Sequence, residues 1–203
     1  HAGVLNPSVV TDEFPEQAGP EESMPSEFSE DYVVNVGKAS WVKGVWETVS
    51  MLSGSGISLA HVGGGTSEDL ERLSQHAEAS GVDFWVAPRL TSPELAALMR
   101  GARAVVSMAY GEPFGLTPIE AFSVGTPALF VDEGGFRDSI VDGVNGRLIA
   151  RDDIAEWHYW LEKVSDSTIR EQWTEAGRNR IVELELSPEG HCRKLVEIID
   201  SLL

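Results

Sequence analysis

"YVVNVGKASWVKGVWETVSMLSGSGISLAHVGGG" (residues 32–65) holds the local pattern on which the fold turns. A five-residue run with three valines passes through a short Gly/Lys loop into a segment with apolar residues at helical spacing. The chain then crosses Gly-Ser-Gly into a second apolar run that stops at three glycines. Two buried-type strands joined by a helix form the unit of a parallel sheet, because parallel neighbours need a crossover connection long enough to return to the same edge.

The alternation continues. Further strands are expected at "DFWVA" (83–87), "AVVSM" (104–108), "PALFV" (127–131) and "GRLI" (146–149), beside those at 32–36 and 57–62. The first helix is expected over 42–52 with Val42, Val45, Trp46 and Val49 inward, and the second from Ser67 with Leu70, Leu73 and Ala77 on one side. "TSPEL" opens a third, with Thr91 or Ser92 as the N-cap, Pro93 at the first helical position and Leu95, Leu98 and Met99 facing inward. After Ala150 the strands stop, and helical stretches succeed them at 153–164, 167–185 and 188–202. The fold class expected is α/β, a Rossmann-like doubly wound parallel sheet of about six strands with extra C-terminal helices. The acidic, proline-punctuated segment 15–31 reads as an exposed loop or linker. Three units are therefore expected: a connector and acidic loop over 1–31, a Rossmann-like domain over 32–186, and a C-terminal helix over 187–203.

Composition narrows the partners. In 203 residues, 33 acids stand against 15 bases, a formal net charge of −18, which argues against a nucleic-acid or anionic-membrane surface. Only four of the bases are lysine, and an acid-rich, lysine-poor surface suits a protein that stays dispersed in concentrated salt, so a halophilic source is the expectation. The single cysteine, Cys192, lies in a helical pattern and is expected to pack rather than react. No run of eighteen apolar residues is present, and the cytoplasm is the expected compartment. The first residue is His1, and the chain is expected to be a piece of a longer protein.

An open doubly wound sheet binds ligands beyond the carboxyl ends of its strands, which selects the loops 37–44, 63–67, 88–92, 109–117 and 132–136. "GKASWVKG" (37–44) carries Lys38 and Lys43, two point charges able to hold a diphosphate, or simply two solvated lysines. "HVGGGTSEDL" (61–70) lacks the spacing of both the dinucleotide and the nucleoside-triphosphate glycine loops, and is a tight turn beside a ligand or beside none. "YGEPFGLTPIEAF" (110–122) is the richest stretch. Thr117-Pro118-Ile119-Glu120 has the form of a capping box, which by itself would account for Glu120. Glu112 lies in the loop, where a carboxylate can accept hydrogen bonds from two neighbouring hydroxyls of a sugar. The five histidines show no ligand spacing and no two aspartates stand at i, i+2, so no metal is expected. Trp157, Tyr159, Trp160 and Trp173 are either core or a docking face.

Across most of 32–185 the motifs resemble the C-terminal half of the retaining glycosyltransferases of two-domain GT-B architecture, the group 1 (family 4) type that includes sucrose synthases and mannosyltransferases. The segment "EPFGLTPIEAFSVGTPALFVDEGGFRDSIVDGVNGRLI" (112–149) is similar to that family's Glu, seven residues, Glu signature and the stretch on its C-terminal side. The resemblance implies one half of a GT-B fold, a nucleoside diphosphate sugar such as a UDP- or GDP-sugar as substrate, hexosyl transfer and no cofactor. It implies that Glu112 meets the donor sugar and Glu120 the ribose, and that Phe114 and the backbone of Gly115, Leu116 and Thr117 hold the donor and its diphosphate. Gly37 and Lys38 fall where the family has Gly-Arg, with lysine in place of arginine, and Lys43 where lysine is usual. Arg89 and Leu90 fall in the segment that meets the base. An acceptor-binding N-terminal domain, to which "NPSVVTDEF" (6–14) would be the connector, is implied as partner, and any membrane contact would be made through it. Without it this chain is expected to bind donor weakly and transfer nothing. The rival readings are a nucleotide-sugar epimerase of the same architecture, which does not call for the Glu112/Glu120 spacing, and a stand-alone, non-catalytic binding module.

Overall fold

A computed structural model describes Leu5, Pro7 and residues 28–202. Six strands form one parallel sheet: β1 (Tyr32–Val36), β2 (Ser58–Val62), β3 (Phe84–Ala87), β4 (Ala104–Ser107), β5 (Ala128–Val131) and β6 (Arg147–Ile149), in the order β3-β2-β1-β4-β5-β6. Every neighbouring pair is parallel, which requires each strand to be followed by a crossover. The strand order reverses between β1 and β4.

Helices supply the crossovers: α1 (Val45–Leu52), α2 (Ser67–Ala79), α3 (Ser92–Gly101), α4 (Thr117–Val124) and the single turn α5 (Phe136–Ser139), followed by α6 (Ile154–Lys163), α7 (Ser167–Glu183) and α8 (Pro188–Asp200). The first half of the sheet winds one way and the second half the other. Accordingly α1 packs with α2 and α6, and α4 with α3 and α7. With helices on both faces the central strands are closed to water, and Val33, Val34, Leu59, Ala60, Val105, Val106, Leu129 and Phe130 are fully buried. That is why those strands read as unbroken apolar runs rather than as alternating ones.

Three details depart from the sequence expectations. The first helix begins at Val45, not Val42: Trp41–Lys43 is a 3₁₀ turn and Gly44, at φ +64°, sits between the two helical segments. Val42 is therefore exposed, and the buried face is Val45, Thr48, Val49, Met51 and Leu52. Cys192, expected to pack, is instead exposed on α8 among the described residues. The helix α5 is a single turn, too short for periodicity to reveal.

The aromatic segment at 157–160 divides. Trp157 and Trp173 are buried in the core, and Trp160, partly buried, packs against Trp173 with ring centroids 5.5 Å apart and planes tilted by 33°, while Tyr159 is half exposed. The acidic segment 15–31 and the connector 6–14 lie outside the described residues, apart from Pro7 and 28–31. Phe28 packs its ring on Tyr32 and Trp85, and Asp31 accepts two hydrogen bonds from Arg103 at 2.6 Å each. Among the described residues no helix is long and apolar enough to cross a membrane.

Candidate functional site

A cavity of about 360 Å³ opens at the carboxyl ends of β1 and β4, where the strand order reverses. Ligands bind such sheets there because the two flanking loops diverge to opposite faces and leave a crevice. Lys43 enters from the loop after β1, and Glu112 to Thr117 from the loop after β4. Glu120 comes from the first turn of α4, and Phe136 from α5.

Of the residues singled out from sequence, Gly37, Lys43, Glu112, Phe114, Gly115, Leu116, Thr117 and Glu120 line this one cavity. Lys38, Arg89 and Leu90 do not. The amides of Gly37 and Ala39 donate to Val62 O and Gly64 O, and Lys38 between these anchors is exposed. The glycine run 63–65 thus braces the loop after β1 instead of lining the cavity. Arg89 and Leu90 come after β3, two strands from β1 and so roughly 10 Å along the sheet.

Lys43 and Glu112 meet: Nζ donates to Oε2 at 2.6 Å. Their side chains are 38% and 21% exposed, so the pair is open to a ligand on one side. An ammonium has three donors and a carboxylate about four acceptor positions, so one mutual bond leaves both groups able to take a further partner while fixing their direction. In a chain of net charge −18 this places the one cation of the cavity wall, among the described residues, directly beside the acid that orients it.

The backbone beyond Glu112 is shaped for close approach. Gly115 is at φ +78°, a conformation that L side chains resist, and a Cβ there would fall 2.6 Å from the ring of Phe136. Phe136 is held edge-on to Phe130 with centroids 4.8 Å apart, so the ring has no room to give. Immediately after, α4 begins, and among the described residues the amides of Gly115, Leu116 and Thr117 donate to no protein acceptor. Free amides at a helix start carry the positive end of the helix dipole and suit an anion.

The capping box read into Thr117–Glu120 does not form. Leu116 occupies the cap position with helical angles, φ −74° and ψ −28°, and no side chain caps the helix. Thr91, extended at φ −70° and ψ 160°, does form one with Glu94. Glu120 is left without a side-chain hydrogen bond among the described residues. Burial at the cavity base pushes its carboxyl above the usual range, because the ion loses water and gains no compensating partner.

Two contributors escape sequence reasoning. Phe136 closes the cavity floor, and the Gly135 amide donates to Glu112 O at 2.7 Å. Their signal is the loop 132–136, selected by position in the sheet but without a residue assigned. Among the described residues no three of His, Cys, Asp and Glu converge closely enough to hold a metal ion.

Known proteins share both this fold and stretches of this sequence. The sequence model of the family "Glycosyl transferases group 1" matches residues 21–180. The D-inositol 3-phosphate glycosyltransferase of Arthrobacter sp. (strain FB24) is 36% identical over 110 residues, covering 53% of this chain and 25% of that protein. Among solved structures, the sucrose-phosphate synthase of Thermosynechococcus elongatus superposes with a TM-score of 0.83 at 20% identity, over 98% of this chain and 52% of that one. Anabaena HepE in complex with UDP gives 0.70 at 19% identity, over 85% of this chain and 49% of that one. At such identities the likeness is one of fold. The match spans about a quarter of the curated relative and about half of each solved chain.

Proposed function

The chain belongs to the group 1 glycosyl transferases, and from that premise we propose that it is the donor-binding half of a retaining enzyme that moves a hexosyl group from a nucleoside diphosphate to an acceptor held elsewhere in a longer protein. The observation that carries this reading is the juxtaposition at the β1/β4 crevice of the Lys43–Glu112 pair with the unpartnered amides at the start of α4. One ligand that satisfies both is a sugar joined to a diphosphate.

The positions set the chemistry. When the bond between the anomeric carbon and the diphosphate breaks, negative charge grows on the leaving oxygen. The two donors that Lys43 retains, with the α4 amides, stabilise that charge without rearranging, as fixed dipoles in a partly dry site do best. Glu112 accepts hydrogen bonds from sugar hydroxyls, held in direction by Lys43. Glu120, buried and lacking a protein partner among the described residues, takes the hydroxyls of the ribose. The two carboxylates thus serve different parts of one ligand instead of acting together as acid and base. The acceptor and the other wall of the crevice belong to the rest of the enzyme, and this half by itself binds donor and transfers nothing. UDP in the HepE complex supports a nucleoside diphosphate as the ligand type.

Calorimetric titration of the chain with UDP, GDP and ADP in high salt tests the reading: one of them is expected to give heat, and none doing so at millimolar concentration would overturn it. In the full-length enzyme, Glu112→Ala and Lys43→Ala are each expected to abolish transfer. The pair is partly exposed, so its loss should cost about 1 kcal/mol of stability or less. A large fall in the melting temperature of Glu112→Ala would make that residue structural.

A further inference from the structure

We propose that Arg151, remote in sequence from every loop of the site, is the positioning residue that holds Glu112 and its loop in register; the part of this concerning donor sugar rests on the function proposed above. Between the end of β4 at Ser107 and the start of α4 at Thr117 the chain has no regular secondary structure. Its course must be set by contacts from outside. Arg151 provides them: one guanidinium nitrogen donates to Met108 O at 2.5 Å and another to Ala109 O at 3.4 Å. The plane lies on the ring of Tyr110, 3.6 Å from its centroid. The same group donates to both oxygens of Glu133, at 3.0 and 2.8 Å. Glu133 stands two residues before Gly135, whose amide holds Glu112 O.

One side chain therefore ties together the loop that carries Glu112 and the loop that braces it. The Tyr110 hydroxyl donates to Glu47 Oε1 at 2.9 Å and its amide to Val42 O at 2.8 Å, which fixes the stacked ring from two further sides. The Arg151 side chain is 19% exposed, and its guanidinium uses its fork in both directions. A lysine would keep the charge opposite Glu133 but lose the fork and the stacking plane. Arg151 does not itself line the cavity, so it acts on donor through Glu112.

The test compares wild type with Arg151→Met and Arg151→Lys by two readouts. In hydrogen exchange, Arg151→Met is expected to speed the peptides covering 108–114 and 132–136 by roughly tenfold or more, with α2 and α7 unchanged, since a charged group's hydrogen bonds are lost. In calorimetry, UDP is compared with UDP-glucose, GDP with GDP-mannose, and ADP with ADP-glucose. Wild type is expected to bind the sugar conjugate more tightly than the bare nucleotide, Arg151→Met to lose that increment while keeping nucleotide affinity, and Arg151→Lys to recover only part of it. Unchanged exchange in both loops would overturn the proposal, and so would faster exchange with the sugar increment intact. If wild type binds none of the six ligands, the donor-site reading fails, and the exchange result alone decides the anchoring.

Discussion

Replacing His61 by glutamine should remove a steep acid sensitivity from the middle of the sheet. His61 is fully buried on β2, and its Nδ1 lies 3.0 Å from Asn35 Oδ1, while the Asn35 amide donates to Val106 O at 3.0 Å. Asn35 thus offers an acceptor, so Nδ1 carries the proton and Nε2 is the bare nitrogen. That nitrogen is buried without a partner among the described residues. Protonating it would place an N–H and a charge where nothing accepts either, and burial accordingly lowers the pKa from 6.5 to about 4. The unfolded chain takes up a proton at 6.5 and the folded chain does not until about 4, so stability present above pH 6.5 is lost as pH falls through that window. The loss is about 2 kcal/mol between pH 7.5 and 5, and about 3 kcal/mol in the limit below pH 4. Urea denaturation of wild type and His61→Gln from pH 7.5 to 5 measures it, and subtracting one curve from the other removes the carboxylates common to both. The amide of glutamine retains a donor for Asn35 Oδ1. Two curves that stay parallel within about 0.5 kcal/mol over that range would refute the buried neutral imidazole.

Other expectations are more local. Gly115→Ala should cost about 1–2 kcal/mol for the left-handed backbone alone, more once its methyl meets Phe136, and should weaken nucleotide binding; thermal melts and calorimetry read the two effects. Glu120→Gln should raise stability at neutral pH while weakening donor binding. The reason is that burial raises the Glu120 pKa, so its ionisation costs the fold stability as pH climbs from acid towards neutral. A melt that shows no gain for Glu120→Gln at pH 7.5 over wild type would count against that burial cost. With a net charge of −18, the melting temperature should also rise between low and molar salt as self-repulsion is screened; a flat response would remove the case for a salt-adapted source.

Legibility in the sequence was uneven for physical reasons. Thr91-Ser92-Pro93-Glu94 and Thr117-Pro118-Ile119-Glu120 are both Ser/Thr-x-x-Glu starts, yet only the first closes into a box, because an N-cap side chain reaches the third amide only from extended backbone. Thr91 has that backbone, whereas at the second site the chain is already helical at Leu116 and Thr117 lies inside the helix. Which entry angle the chain takes is set by the loop fastened beneath it, by Gly135 on Glu112 O and by Arg151 on Met108 O and Ala109 O. Val42 shows the same limit, since its helical spacing is genuine but Gly44 turns it to solvent.

By itself the sequence determined the order of strands and crossovers, the parallel sheet, and the loops that converge on its carboxyl edge. These arise from β-branched runs, helical spacing and glycine turns, all of which act within a few residues of chain. Lys43 and Glu112 were visible too, one as a rare lysine in a strongly acidic chain and the other as a carboxylate in a loop at the ligand-binding edge, and Gly115 through the family resemblance of its segment. Only the tertiary structure decided that Lys43 and Glu112, 69 residues apart, bond to each other, that Phe136 floors the cavity, and that Arg151 spans two loops. Such contacts depend on how neighbouring strands place their ends in space, and no periodicity along the chain records that distance.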